Sequence, residues 1–135
     1  ASGGVLRYML QYSGLGEVIG NAVASAALPM VVVAFAVAAL VRISVGSATV
    51  AMTMAAGIIA AMPGIAELSP LYLACVTAAV AGGATVCSHF NDSGFWLVKS
   101  LVGMDEKTTL KTWTIMETLV GGTGFLVALV ISFFC

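Results

Sequence analysis

Three uncharged stretches of equal length constrain this chain more than any other feature of its sequence. Twenty-four residues without Asp, Glu, Lys or Arg separate Glu17 from Arg42, 24 more separate Arg42 from Glu67, and another 24 separate Glu67 from Asp92. The 18 residues after Glu117 carry no such charge either. Because a membrane span needs about 20 mostly apolar residues, this spacing predicts an all-α polytopic membrane protein with about four membrane segments.

Composition agrees with this class and excludes several others. Only 8% of the residues are charged, whereas an ordinary soluble domain carries about 25%. Five basic and six acidic residues nearly cancel, so no strong field of either sign attracts a partner. These properties exclude a soluble globular domain, a disordered tail and a nucleic-acid-binding protein. Cys75, Cys87 and Cys135 lie in apolar runs without metal-ligand spacing, and we interpret them as buried small side chains.

The apolar run 30–62 is too long for one straight membrane span. Its two halves, 30–41 and 50–62, flank a stretch that is rich in polar residues and glycine. Two geometries fit this pattern: a helix that is broken near Gly46, or two helices joined by a tight turn. We therefore predict a broken helix or reentrant turn near 42–49.

Hydroxyl groups make this break a candidate binding site. Broken backbone inside a bilayer is tolerated only within protein or beside a water-filled cavity. A half-helix that begins there directs free N–H groups at the site, which suits an anion such as a carboxylate. The candidate substrate-binding residues are Ser44, Gly46, Ser47 and Thr49. The alternative is that their hydroxyls only bond back to helix carbonyls.

Arg42 precedes this stretch and is a candidate partner for a substrate carboxylate, since guanidinium suits bidentate contacts. Snorkelling or pairing within the protein is the alternative, and we favour it. Glu117 lies in the last apolar segment near its start, where we interpret it as a solvated side chain.

A second polar cluster, 88–94, follows the third apolar segment, 70–87. His89 and Asp92 are candidate proton-coupling residues, because ionisable groups at membrane depth are costly and histidine titrates near neutral pH. The candidate substrate-binding residues of this cluster are Ser88, Asn91 and Ser93. Alternatively, Asn91, Asp92 or Ser93 caps the following helix and His89 lies at the water interface.

The remaining polar residues indicate orientation and the helix boundaries. Lys99, Lys107 and Lys111 lie between the third and the last apolar segment, and the positive-inside rule places this loop in the cytoplasm. The last span is predicted over 113–135, with Trp113 as an interface anchor. Glycines at 82, 83, 121, 122 and 124 are predicted to let helices pack closely.

No arrangement of residues suggests catalysis. The sequence has no His-Glu-x-x-His zinc motif, no phosphate-binding glycine loop and no Cys-x-x-Cys pair. We therefore expect a protein that is not an enzyme and needs no cofactor or metal.

Four stretches along the chain resemble the C-terminal part of the gluconate permease family. They are ASGGVLRYMLQYSGLG, VRISVGSATVA, SHFNDSGFWLVKSLVGM and LKTWTIMETLVG. Members of this family are proton symporters for gluconate and related small acids, and their superfamily binds carboxylates at hairpin tips and broken helices in two inverted repeats. The resemblance implies that Gly3 and Gly4 belong to a substrate-binding hairpin, that 46–49 is a broken-helix tip, and that 88–94 lines the site.

The resemblance also implies a single membrane domain, 1–135, that is the C-terminal portion of a larger, multi-pass transporter of the bacterial inner membrane. The expected function is proton-coupled symport of gluconate or a related sugar acid or hydroxy acid. The alternative is a non-transporting membrane assembly or interaction subunit, in which the helix through 42–49 would be straight. Expected partners are a small carboxylate, protons, the lipid bilayer and the remaining N-terminal part of the transporter, with a homo-oligomer left open and no nucleic acid.

Overall fold

A computed structural model of the chain describes residues 9, 12–14 and 28–135. Within residues 28–135 the regular secondary structure is helical and contains no strand, so the all-α prediction is confirmed for this part. A short 3₁₀ turn, Ile65–Glu67, separates the second and third helices. The helices are α1 Met30–Val45, α2 Ala48–Ala60, α3 Pro70–Thr85, α4 Ser93–Val102 and α5 Glu106–Ser132.

Local sequence signals set the ends of α3 and α4. Pro70 occupies the first turn of α3, where a missing N–H costs nothing. The Ser69 side chain accepts a hydrogen bond from the N–H of Tyr72 at 3.1 Å and so caps this helix. Gly103 ends α4 in the left-handed conformation, with φ of +73°, and donates its N–H to the carbonyl of Lys99.

The third helix lies between α1 and α5 and packs against both. Its two adjacent glycines face opposite neighbours: a Cβ on Gly83 would lie 2.9 Å from the Cβ of Ala38 in α1, and a Cβ on Gly82 would lie 2.7 Å from the carbonyl oxygen of Gly121 in α5. Because no side chain separates them, the three backbones approach closely. The predicted packing role is therefore confirmed for Gly82, Gly83 and Gly121.

The predicted packing role is wrong for Gly122 and Gly124, since neither makes a close contact in the described part of the chain. A Cβ on Gly122 or Gly124 would meet no described atom within 4 Å. Where α5 faces α1, Phe125 stacks on Phe35 with ring centroids 4.2 Å apart. Cys75 is buried as we expected, Cys87 is only partly buried, and Cys135 is exposed and contradicts that interpretation.

Among the described residues, α5 alone is long and apolar enough to cross a membrane, as judged from length and composition. Its 27 residues extend over about 40 Å at 1.5 Å per residue. Only 11% of its most apolar window is buried in the structure, whereas the core helix of a soluble protein is mostly buried. The helix begins at Glu106, before the predicted start of the span at residue 113, because Asp105 accepts a hydrogen bond from the N–H of Thr108 at 3.2 Å and caps the helix there.

Candidate functional site

The helix break lies at Gly46 and Ser47. Gly46 has a left-handed φ of +80° and donates its N–H to the carbonyl of Arg42 at 2.8 Å, which closes α1. Ser47 is extended, and its hydroxyl accepts a hydrogen bond from the N–H of Val50 at 3.4 Å, which opens α2. The predicted interruption near Gly46 is confirmed, and it unwinds two residues rather than the whole stretch 42–49.

The connection between α3 and α4, residues 86–92, packs directly on this break. The side-chain amide of Asn91 donates to the carbonyl of Ile43 at 2.8 Å, near the end of α1. A Cβ on Gly46 would overlap the backbone carbonyl of Asn91. The two polar clusters that the sequence indicates are therefore in contact, and glycine is needed at 46 both for its φ and for the missing side chain.

A buried ion pair joins the two clusters. Arg42 is only 3% exposed, and its Nη2 lies 2.5 Å from Oδ2 of Asp92, while its Nη1 donates to the carbonyl of Gly46. Oδ2 of Asp92 also accepts the hydroxyl of Ser88, and Oδ1 accepts the N–H of Gly94 at 3.0 Å. In this structure Arg42 is thus paired within the protein, and Asp92 is both an ion-pair partner and the cap of α4.

These contacts determine the charge state at the site. The guanidinium and the two hydrogen-bond donors stabilise the ionised carboxylate of Asp92 over its protonated form. Removing one partner of a buried ion pair generally costs about 3–5 kcal/mol, because the other charge is left uncompensated. Asp92 therefore carries its negative charge in this conformation.

Ser88 connects the ion pair to α5. Ser88 is only 1% exposed. Its hydroxyl accepts a hydrogen bond from the indole N–H of Trp113 at 2.9 Å, and its backbone carbonyl accepts one from the hydroxyl of Thr114. The N–H of the neighbouring Cys87 donates to the hydroxyl of Thr118 at 3.1 Å. The contacts of Trp113 and Thr114 come from the wider π turn Leu110–Thr114, a feature that is frequent at functional sites.

These contacts of α5 were missed by our sequence interpretation, which treated Trp113 only as an interface anchor. A signal was present, since residues with polar groups at 113 and 117, and again at 114 and 118, lie four positions apart and so share one face of an otherwise apolar segment. Glu117 belongs to this stripe, is partly buried, and interacts electrostatically with Arg42 and Asp92.

The other predicted site residues differ in their burial and hydrogen bonds. His89 is partly buried, with Nδ1 2.8 Å from the carbonyl oxygen of Cys87. Ser44 is exposed and donates back to the carbonyl of Leu40 at 2.8 Å, as the alternative for this stretch describes. Thr49 and Ser93 are exposed. Gly3 and Gly4 lie outside the described residues.

Aromatic side chains hold α4 against the site. Phe95 is fully buried, and its ring lies 5.3 Å from that of Phe90 and 5.6 Å from that of Trp96. The indole N–H of Trp96 donates to the carbonyl of Phe90 at 2.8 Å. At the far end, Lys99 pairs with Glu106 at 2.6 Å and links α4 to α5. These contacts hold both ends of α4, and thereby the position of its cap residue Asp92.

An apolar helical chain with a buried arginine–aspartate pair at a helix break has the architecture of a helical membrane protein, because irregular backbone and paired charges are tolerated there only within protein. The family model of the GntP family permeases, which describes their shared sequence pattern, matches residues 1–134 of this chain. The chain belongs to this family, so the resemblance to the gluconate permeases is confirmed, and its relatives are transporters rather than enzymes.

Three curated relatives show the extent of the similarity. The chain is 44% identical to the "Low-affinity gluconate transporter" of Escherichia coli (strain K12), over 96% of this chain and 29% of the relative. It is 40% identical to the "Gluconate permease" of Pseudomonas aeruginosa, over 97% and 29%. It is 37% identical to the "Gnt-II system L-idonate transporter" of Escherichia coli, over 98% and 29%. The chain thus spans under a third of the length of these relatives, and no solved structure matches it significantly.

Proposed function

We propose that this chain forms the C-terminal portion of a multi-pass transporter in the bacterial inner membrane, with about four membrane segments in this portion. The complete protein carries gluconate, or a related sugar acid or hydroxy acid, together with protons. The names of the relatives support this substrate class, since they specify gluconate and L-idonate. Both compounds carry one carboxylate and several hydroxyl groups, which require a cationic or N–H-rich subsite and hydroxyl partners.

The observation that carries the proposal is the contact between the helix break and the connection that precedes α4. Because Gly46 packs on Asn91, the N-termini of α2 and α4 begin beside each other. Each N-terminus has N–H groups without helical partners and a positive dipole end. Two such ends beside a buried arginine favour the binding of an anion.

The proposed site uses the side chains that remain accessible around these two helix ends. Thr49 and Ser93 are exposed and Ser47 is partly exposed, so their hydroxyls are available to a polyol. Ser88 supports the site through its hydrogen bond to Asp92, and Ser44, whose hydroxyl bonds to the carbonyl of Leu40 in this conformation, is a further hydroxyl at the end of α1. The N-terminal part of the transporter, including Gly3 and Gly4, supplies the other face, as expected for a site between two repeats.

Proton coupling is assigned to the cluster that contains His89 and Asp92. Asp92 is buried against a guanidinium, and His89 is partly buried next to it in the chain. Apart from the thiol of Cys87, these are the ionisable groups of the connection 86–92, which lies against the proposed binding site.

The test is uptake by the complete transporter in proteoliposomes. An inward proton gradient should drive accumulation of labelled gluconate, a protonophore should abolish it, and a neutral polyol such as glucitol should not compete. Failure of every sugar acid to accumulate would contradict symport.

A pair of variants tests the placement of the site. Ser47→Ala removes a hydroxyl at the break, and one hydrogen bond to a charged partner contributes up to about 3 kcal/mol, or about 0.5–1.5 kcal/mol when neutral. We therefore expect gluconate affinity to fall roughly threefold to a hundredfold, with its pH dependence unchanged. Thr53→Ala is the control, because its exposed hydroxyl only bonds back to the carbonyl of Thr49 within α2. Equal affinities for both variants would exclude Ser47 from the site.

A further inference from the structure

The ion pair between Arg42 and Asp92 leaves one N–H group of the guanidinium without a hydrogen-bond partner. Asp92 contacts Arg42 through Oδ2 alone, because Oδ1 is committed to the N–H of Gly94. The Nε of Arg42 is buried and has no hydrogen-bond partner, and it is the one such side-chain nitrogen or oxygen in the described part of the chain. Nε–H and Nη2–H together form a fork that matches a free carboxylate.

We propose that Asp92 occupies Arg42 in place of the substrate carboxylate, and that the arriving substrate displaces Asp92, which then takes up the co-transported proton. This inference rests on the proposed function and specifies how one site couples the two solutes. A substrate carboxylate that binds Nε–H and Nη2–H gains the second hydrogen bond that Asp92 does not make. Asp92 and the substrate each present a carboxylate, so the two carboxylates compete for the one guanidinium of Arg42.

Charge balance requires the proton. Before exchange, the buried charges of Arg42 and Asp92 cancel; after exchange, the substrate carboxylate cancels Arg42, and an ionised Asp92 would be left without a counter-charge. An uncompensated buried charge is costly, and neutralisation by a proton is the usual outcome. One proton and one carboxylate therefore enter together, with no change in the net charge of the site.

The hydrogen bonds of Asp92 accommodate the proton on Oδ2. Ser88 now donates its hydroxyl to Oδ2 and accepts the indole N–H of Trp113. A hydroxyl oxygen has two lone pairs, so a protonated Oδ2 can donate to Ser88 while the Trp113 contact persists. Oδ1 keeps the N–H of Gly94 throughout, and the cap of α4 is preserved.

The charged and titratable groups around Asp92 define the alternatives. Arg42 faces it from α1 and Glu117 from α5, while His89 lies in the same connection with Nδ1 on the carbonyl of Cys87. A proton on Glu117 or His89 would also balance the charge. Variants must therefore separate Asp92 from these two groups.

The primary experiment measures the gluconate dissociation constant of the complete purified transporter against pH, over a range in which gluconate stays ionised. Uptake of one proton on binding predicts that wild-type affinity falls by up to about tenfold per pH unit as pH rises. Asp92→Asn keeps the capping oxygen but cannot take up the proton, so its affinity should be independent of pH. Loss of the slope in Glu117→Gln or His89→Gln would assign the proton to that group and overturn the inference, whereas the matched control Glu67→Gln in the exposed turn before α3 should keep the wild-type slope.

Arg42→Lys tests the fork separately. Lysine keeps the charge but cannot make two parallel hydrogen bonds, so affinity should fall about tenfold to a hundredfold while the pH slope remains. An unchanged affinity of Arg42→Lys would overturn the bidentate contact.

A measurement on the wild-type protein decides the matter if Asp92→Asn does not fold. Addition of gluconate should produce an infrared band of a protonated carboxyl group, and the same band should persist in Glu117→Gln. Absence of the band, its loss in Glu117→Gln, or a wild-type pH slope in a folded Asp92→Asn protein would each overturn the inference. Failure of the wild-type transporter to bind any sugar acid would instead contradict the proposed function.

Discussion

Gly46 and Gly64 have nearly the same left-handed backbone conformation, with φ of +80° and +81°, but very different surroundings. A Cβ on Gly64 would meet no described atom within 4 Å, whereas a Cβ on Gly46 would overlap the backbone carbonyl of Asn91. The two positions therefore separate the cost of the left-handed backbone from the cost of packing at the helix break.

Alanine at either position incurs about 1–2 kcal/mol for the left-handed conformation of an L-residue. At Gly46 the added methyl group must also displace the connection that carries Asn91, and overpacking of this kind costs about 1–3 kcal/mol. We therefore expect Gly46→Ala to lower the free energy of unfolding by about 2–5 kcal/mol and Gly64→Ala by only about 1–2 kcal/mol.

Denaturant titration of the complete transporter in mixed micelles measures both values, and gluconate binding provides a second readout. Gly46→Ala should weaken binding because it moves the turn that holds the ion pair, while Gly64→Ala should not. Adding Asn91→Ala to Gly46→Ala should restore little stability, because the nearest atom is backbone. Equal destabilisation by the two glycine variants would refute the packing argument.

Three further predictions concern packing, orientation and the contact with α5. Gly83→Leu should lower the free energy of unfolding by about 1–3 kcal/mol through overpacking, whereas Gly122→Leu, at a position where a Cβ would meet no described atom within 4 Å, should change it little in the same titration. A cysteine at position 107 (Lys107→Cys) should react with an impermeant maleimide from the cytoplasmic side, and labelling from outside intact cells would contradict this orientation. Trp113→Phe should lower the free energy of unfolding by about 0.5–1.5 kcal/mol through loss of the hydrogen bond to Ser88, and thermal melts with unchanged midpoints would exclude that contact.

Signals that act between near neighbours in the chain were readable from the sequence. A glycine among hydroxyl residues inside an overlong apolar run predicted the break at Gly46, and Pro70 marked the start of α3. Asp92 was recognised as either a cap or a proton-exchanging group, and its cap geometry is observed. Each of these features depends on backbone conformations and hydrogen bonds within a few residues.

Features that depend on distant partners were not readable. Arg42 and Asp92 lie 50 positions apart, and nothing in either local sequence specifies that they meet. The contact of Trp113 with Ser88 has the same origin, since it requires α5 to pack beside the connection 86–92. The start of α5 was not readable for another reason. The charged residues before 113 suggest a loop, but Glu and Lys are good helix formers when they follow an aspartate cap.

The hydrogen bonds at the helix break also bear on the order of events during synthesis. The carbonyl of Ile43 is bonded by Asn91, and Arg42 at the end of α1 is neutralised by Asp92. When α1 and α2 leave the ribosome, Asn91 and Asp92 have not yet emerged from it. This helix pair must therefore stay near water or insertion machinery until residues 91 and 92 emerge, because unpaired groups are costly in lipid. Nascent chains stalled before and after these residues should differ in how readily the first helix pair is extracted from the bilayer.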